Sequence, residues 1–174
     1  MSTLQVNTVQ VDTLQGKTTA GTVTMPAGHV IQTQFHTFTD ITTETGSSYV
    51  DVNGSSFSFT PKLASSLLHI SYSVHAYIFR LSSDDNGGSV DINVDGSNIS
   101  ASGDAREVYV AVGGSSSLVI FNRLHKEVTV SATNTSSKTI KLQMQNNTSA
   151  DSGGFRINDG SNYTSSIKVE ELAQ

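Results

Sequence analysis

The sequence predicts an all-β protein: an antiparallel β-sandwich, jelly-roll-like, preceded by an extended N-terminal arm. Three observations point there. Apolar residues recur at period two in short runs along most of the chain, as they do when one face of a strand lies in a core. The runs are separated by Gly-, Asn- and Asp-rich turns at fairly regular intervals. Ser, Thr, Gly, Asn and Val are abundant while Trp is absent and charged residues make up only 14% of the chain, a balance that favours strands over helices.

The clearest strand is SLLHISYSVHAYIFR, where Leu68, Ile70, Tyr72, Val74, Ala76 and Ile78 share one parity and His69, Ser71, Ser73 and His75 the other. The second face is polar until Tyr77 and Phe79, where it too becomes apolar and is expected to be covered. IQTQFHTFTDI places Ile31, Phe35 and Ile41 on one side, and SSFSFTP supplies Phe57 and Phe59 before Pro61 ends the run. VDINVDG carries Val90, Ile92 and Val94 into an Asp95-Gly96 pair typical of a tight hairpin.

Later runs contribute Val108, Val110 and Val112; Val128 and Val130; Ile140, Leu142 and Met144; Phe155 and Ile157; and Ile167 and Val169. Between the runs, Asn53-Gly54, Asp84 to Gly88, Gly113-Gly114, Asn134 to Ser137, Gly153-Gly154 and Asp159-Gly160 read as turns or loops. SLVIFNRLHKE fits both a helical and a strand spacing; Val119 and Ile120 disfavour the helix, so a strand is expected. About ten strands without a convincing helix argue for a sandwich, though periodicity does not fix strand order.

A chain of 174 residues with 36% hydrophobic content has room for one cored domain. The division expected is an arm, residues 1–26, and a body, residues 27–174. Cysteine is absent, which excludes disulfides, thiolate metal sites and a Cys nucleophile. The formal net charge is -5 and the ten Lys and Arg are scattered singly, which argues against direct nucleic-acid binding. No stretch approaches the roughly 20 apolar residues of a membrane span, and the first residues are too polar for a signal peptide; the expectation is a soluble chain starting at or next to Met1, without membrane insertion.

The arm begins with a near-duplicate, LQVNT followed by VQVDT. Copying a five-residue unit in a strand throws the second copy's apolar residues onto the opposite face, so Leu4, Val6 and Leu14 point one way and Val9 and Val11 the other. Fully extended, residues 1–26 span roughly 85 Å at about 3.3 Å per residue. A lone strand of this kind buries too little to offset its lost entropy. The arm is therefore expected to become ordered against another chain, at a sheet edge or with sister arms, and these five residues are the expected anchors.

Taken in order, STLQVNTVQVDTLQG, AGTVTMPAGHVIQTQ, VNGSSFSFTPKLASSLLHISYSV, VDINVDGSNIS, NTSSKTIKLQMQ, GFRIND and SSIKVEELAQ resemble the small β-rich structural proteins of tailed bacteriophages, especially marine and cyanobacterial phages, often described as tail-fibre or virion structural proteins. The resemblance covers most of the chain. It implies a non-enzymatic virion component, assembled in the host cytoplasm as a homotrimer, fastened to other virion proteins by its N-terminal segment with the β-domain facing outward. Fibre, tail knob and capsid decoration all use such domains.

The chemistry-bearing residues form no recognisable catalytic pattern. No Ser sits in a G-x-S-x-G context, and no cofactor is expected. His69 and His75 share a strand face but lie roughly 20 Å apart at strand rise, too far to chelate one ion within a subunit. DDNGG, Asp84 to Gly88, lacks the alternating calcium-loop pattern, so no metal is assigned. Tyr77, Phe79, Tyr109 and Tyr163 are the candidate surface aromatics: exposed, they suit a receptor, a host glycan or a subunit interface, since aromatic rings offer large contact area at low entropic cost.

Overall fold

A computed structural model describes residues 26–80, 86–99, 107–110, 118–146, 153–160 and 162–174. Its strands are β1 (Val30–Phe38), β2 (Thr42–Glu44), β3 (Val50–Asp51), β4 (Phe57–Phe59), β5 (Leu67–Arg80), β6 (Asn86–Val94), β7 (Ser97–Asn98), β8 (Val108–Val110), β9 (Leu118–Ser131), β10 (Lys138–Asn146), β11 (Gly153–Ile157) and β12 (Ser165–Leu172). Every pairing is antiparallel. Among the described residues there is no helix.

In the first sheet β5 is paired along its whole length with β9 on one edge, so β11 and β12 share its other edge. Beyond them, β2 pairs with β11 and β1 with β12. In the second sheet β10 lies between β6 and the pair β3 and β4, while β6 carries β7 and β8 on its far edge. Joining the collinear pairs β1/β2, β3/β4, β7/β8 and β11/β12 reduces twelve strands to eight, in the orders 1-8-3-6 and 2-7-4-5. First pairs with eighth, second with seventh, third with sixth and fourth with fifth, which is one long antiparallel ribbon rolled into two sheets. That is a jelly roll, the sandwich expected from the sequence, with the strand order now fixed.

The core forms where the two inner faces meet. Leu68, Ile70, Tyr72 and Ile78 of β5, Ile92 of β6, Ile140, Leu142 and Met144 of β10, Phe155 and Ile157 of β11, and Ile167 and Val169 of β12 are all at most 1% exposed. Each such side chain contributes about 1.5–3 kcal/mol relative to an exposed one. The hairpin between β6 and β7 turns on Asp95 (φ 49°) and Gly96 (φ 87°), the left-handed pair that matches strand twist.

Three sequence expectations are corrected. Ile31, Phe35 and Ile41 do not form the buried side of β1: Phe35 is 68% exposed and Phe38, on the opposite parity, enters the core. Asn86 to Gly88, read as loop, begin β6, and Gly153-Gly154 begin β11. In both places strands cross too closely for side chains: a Cβ on Gly88 would stand 2.3 Å from the Phe155 ring, and one on Gly154 2.6 Å from Phe79. Glycine is there because nothing larger fits.

Polar residues fasten the ends of this roll. Glu171, on the inward parity of β12 and fully buried, accepts hydrogen bonds from the Lys62 and Leu63 amides (2.9 and 2.8 Å), Ser66 Oγ (2.7 Å) and Gln32 Nε2 (2.6 Å). Burial pushes its carboxyl up, but these donors, led by the Lys62 amide, outweigh it and hold the group below the usual carboxylate range. The segment between β4 and β5 is thereby tied to both β1 and β12.

Candidate functional site

The outer face of the first sheet carries the candidate site. β5 places His75, Tyr77 and Phe79 outward, the parity opposite to its core residues. The β9 register sets Arg123 beside His75, Phe121 beside Tyr77 and Val119 beside Phe79. From the other edge β11 brings Arg156 beside Tyr77 and Gly154 beside Phe79. Because Gly154 has no side chain, Phe79 lies across β11.

The rings form one cluster. Tyr77 meets Phe121 edge-on at 4.9 Å and Phe79 at 5.6 Å, and His75 meets Tyr163 at 4.9 Å. The Arg156 guanidinium lies 5.3 Å from the Tyr77 centroid and 5.4 Å from that of Phe79, within cation–π range, and is ion-paired to Asp159. Arg123 donates from Nε to Ser73 Oγ at 2.6 Å, and its Nη1 stands 3.1 Å from His75 Nε2. Burial first, then the Arg123 charge, lowers the His75 pKa, which favours the neutral ring.

Two hollows open on this face. One, of about 270 Å³, is lined by His75, Tyr77, Phe121, Arg123, Asp159 and Tyr163. The other, of about 280 Å³, lies between Phe35, Ser71, Ser73, His125, Ser166 and Lys168. Beside them stand Phe35, 68% exposed, and Phe121, 61% exposed.

Of the aromatic residues singled out in the sequence, Tyr77, Phe79 and Tyr163 are thus brought together. The side chain of Tyr109 lies outside the described residues, as do Leu4, Val6, Val9, Val11 and Leu14 of the arm. Sequence reasoning missed Phe35 as a surface residue and Phe121, Arg123 and Arg156 altogether. For Phe121 a signal existed: it shares strand parity with Val119, opposite to Ile120 and Leu124. His69, the other histidine considered, lies apart from the cluster, 3.4 Å from Glu127. Among the described residues no three His, Asp or Glu side chains gather as a metal site.

The opposite outer face, on the second sheet, has a different character. There Lys141 Nζ and Gln143 Nε2 both donate to Asp51 at 2.7 Å, and Asn93 Nδ2 donates to Gln143. These four polar side chains are satisfied by one another. The face of the first sheet instead offers rings, hollows and mixed charge, which suits binding by contact.

No family model matches the chain, and no curated protein matches it. Among solved structures the chain is similar to a chain of infectious bursal disease virus, Gx strain, with 14% sequence identity and a TM-score of 0.37. The alignment covers 94% of this chain and 43% of that one, so the chain spans less than half the length of this neighbour.

Proposed function

We propose that this chain is a non-enzymatic structural component of a virus particle, of the tailed-bacteriophage kind its sequence resembles. In this reading it is a homotrimeric tail-fibre or knob component. Residues 1–26 fasten it to a neighbouring virion protein, and the jelly roll faces outward. It acts by strand addition and apolar burial, without covalent chemistry. The observation that carries the reading is the outer face of the first sheet, where Tyr77, Phe79, Phe121 and Tyr163 offer contact area on a rigid sheet rather than a reactive group. Jelly rolls of this kind serve viral capsids and lectins, and because a fold alone does not specify a function, weight rests on that face and on the ordered resemblance along the sequence.

The same body, placed over a shell, would act as a capsid decoration protein clamping coat subunits. Copy number separates the two placements, a few at a tail or vertex against many over the capsid. The test of the reading itself is co-sedimentation with purified particles. The full chain is expected to sediment with them and a chain lacking residues 1–26 to stay in solution. Failure of the full chain to sediment would refute the proposal.

A further inference from the structure

Apolar side chains at the surface of a folded domain are ordinary when single, but a contiguous group rimmed by charge marks a contact site. The first sheet's outer face carries one such group: Tyr77, Phe79, Phe121 and Val119, the last 44% exposed, beside Arg123, Arg156 and Asp159. Across the polar Ser71, Ser73, Ser166 and Lys168, Phe35 projects alone from β1. The two hollows lie on the same face, and each exceeds the roughly 150 Å³ that suffices to hold a benzene molecule. A projecting ring and a recess wide enough to receive one lie on the same surface, as a contact between copies of one chain requires.

The charges agree. Arg156 is paired with Asp159 and Lys168 with Glu170 at 3.0 Å, while Arg123 and Glu127 lie on the same face of β9 with opposite sign. The face is balanced, so a copy of itself is not repelled, although the chain as a whole carries a formal charge of -5. A strongly acidic or basic partner would find no complementary field here. Phe35 sits on β1 and Phe121 on β9, at opposite edges of this sheet. Two different patches at opposite edges suit a heterologous contact, the kind that closes a ring of identical subunits.

We infer that the outer face of the first sheet is the surface through which copies of this chain associate, Phe35 of one copy seating in the Tyr77–Phe121–Tyr163 hollow of the next. The inference rests on the homotrimer in the function proposed above and names the surface that builds it.

Sedimentation equilibrium of the full chain tests it. The wild type is expected at the mass of three chains, and the double variant Phe35→Lys/Phe121→Lys at the mass of one, a threefold loss, with an unchanged circular dichroism spectrum. Thr139→Lys, on the outer face of the second sheet, should keep the wild-type mass. If lysine at either position unfolds the body, Phe35→Ser/Phe121→Ser carries the same expectation. A wild type sedimenting as one chain, a folded double variant that keeps its mass, or a single-chain protein that binds an immobilised glycan panel and loses it on Tyr77→Ala would each overturn the assignment. A trimer untouched by the variants leaves the virion reading standing; a trimer dissolved by them that never sediments with particles defeats that reading alone.

Discussion

Ser165 Oγ donates to Asn158 Oδ1 at 2.6 Å, both residues fully buried, across the interruption between β11 and β12. Asn158 Nδ2 also reaches the Phe38 and Asp40 carbonyls at 3.4 and 3.3 Å, across the parallel interruption between β1 and β2. Its amide donates to the His75 carbonyl, and Ser165 Oγ accepts from the His75 amide. One asparagine at φ 55° thus joins two broken strands to β5 and sets where the connection carrying Tyr163 leaves the sheet.

Replacing this residue separates its two contributions. Asn158→Gly keeps the left-handed backbone and loses the side-chain bonds, at about 1–3 kcal/mol. Asn158→Ala adds the left-handed penalty of roughly 1–2 kcal/mol for a residue with a Cβ. Urea midpoints should therefore fall in the order wild type, glycine variant, alanine variant; equal midpoints for all three would show the latch to be idle.

Glu171 gives the fold an acid-sensitive fastening. Its folded pKa is depressed, so its stabilisation is present above the ordinary carboxylate pKa and is lost as pH falls through the lower folded value. Glu171→Gln replaces one acceptor oxygen by a donor facing the Lys62, Leu63, Ser66 and Gln32 donors, and is expected to cost about 1–3 kcal/mol at pH 7. Urea unfolding at pH 7 and pH 3 should show a smaller gap between variant and wild type at the acid end. A gap independent of pH contradicts the assignment.

Tyr72 works at the alkaline end. Its hydroxyl donates to Glu107 Oε2 at 2.9 Å and to the Val90 carbonyl at 3.2 Å. Burial, then the Glu107 charge, raises its pKa far above the ordinary value, so its contribution holds below about pH 10 and fades above, where the unfolded chain ionises first. Ultraviolet titration should leave Tyr72 unionised until the protein unfolds, and Tyr72→Phe should abolish that late step.

Gly88 and Phe155 are coupled by contact. A methyl group on Gly88 collides with the ring, so Gly88→Ala is expected to cost about 1–3 kcal/mol through overpacking. In Phe155→Ala, itself costly by about 3–5 kcal/mol, the same methyl should cost much less. A double-mutant cycle with additive energies would contradict the close approach.

These cases mark where the sequence was informative. The face of β5 was legible because six apolar residues in alternation have one explanation, a strand with one buried side. The face of β1 is not legible because an exposed apolar side chain looks, in sequence, like a buried one; Phe35 and Phe38 differ only in parity. Gly88 and Gly154 read as turn residues, whereas their role is to let Phe155 and Phe79 pass. The aromatic character of Tyr77, Phe79 and Tyr163 was visible, but their union with Phe121 and Arg156 depends on registers between strands dozens of residues apart. No local pattern encodes those registers.

Electron microscopy of intact particles labelled with an antibody against residues 27–174 decides whether this chain is a virion component. Label is expected at fixed positions on the particle, a few per tail or vertex for a fibre or knob and many over the shell for a decoration protein. Particles that stay unlabelled while the protein is found in the surrounding lysate would contradict it.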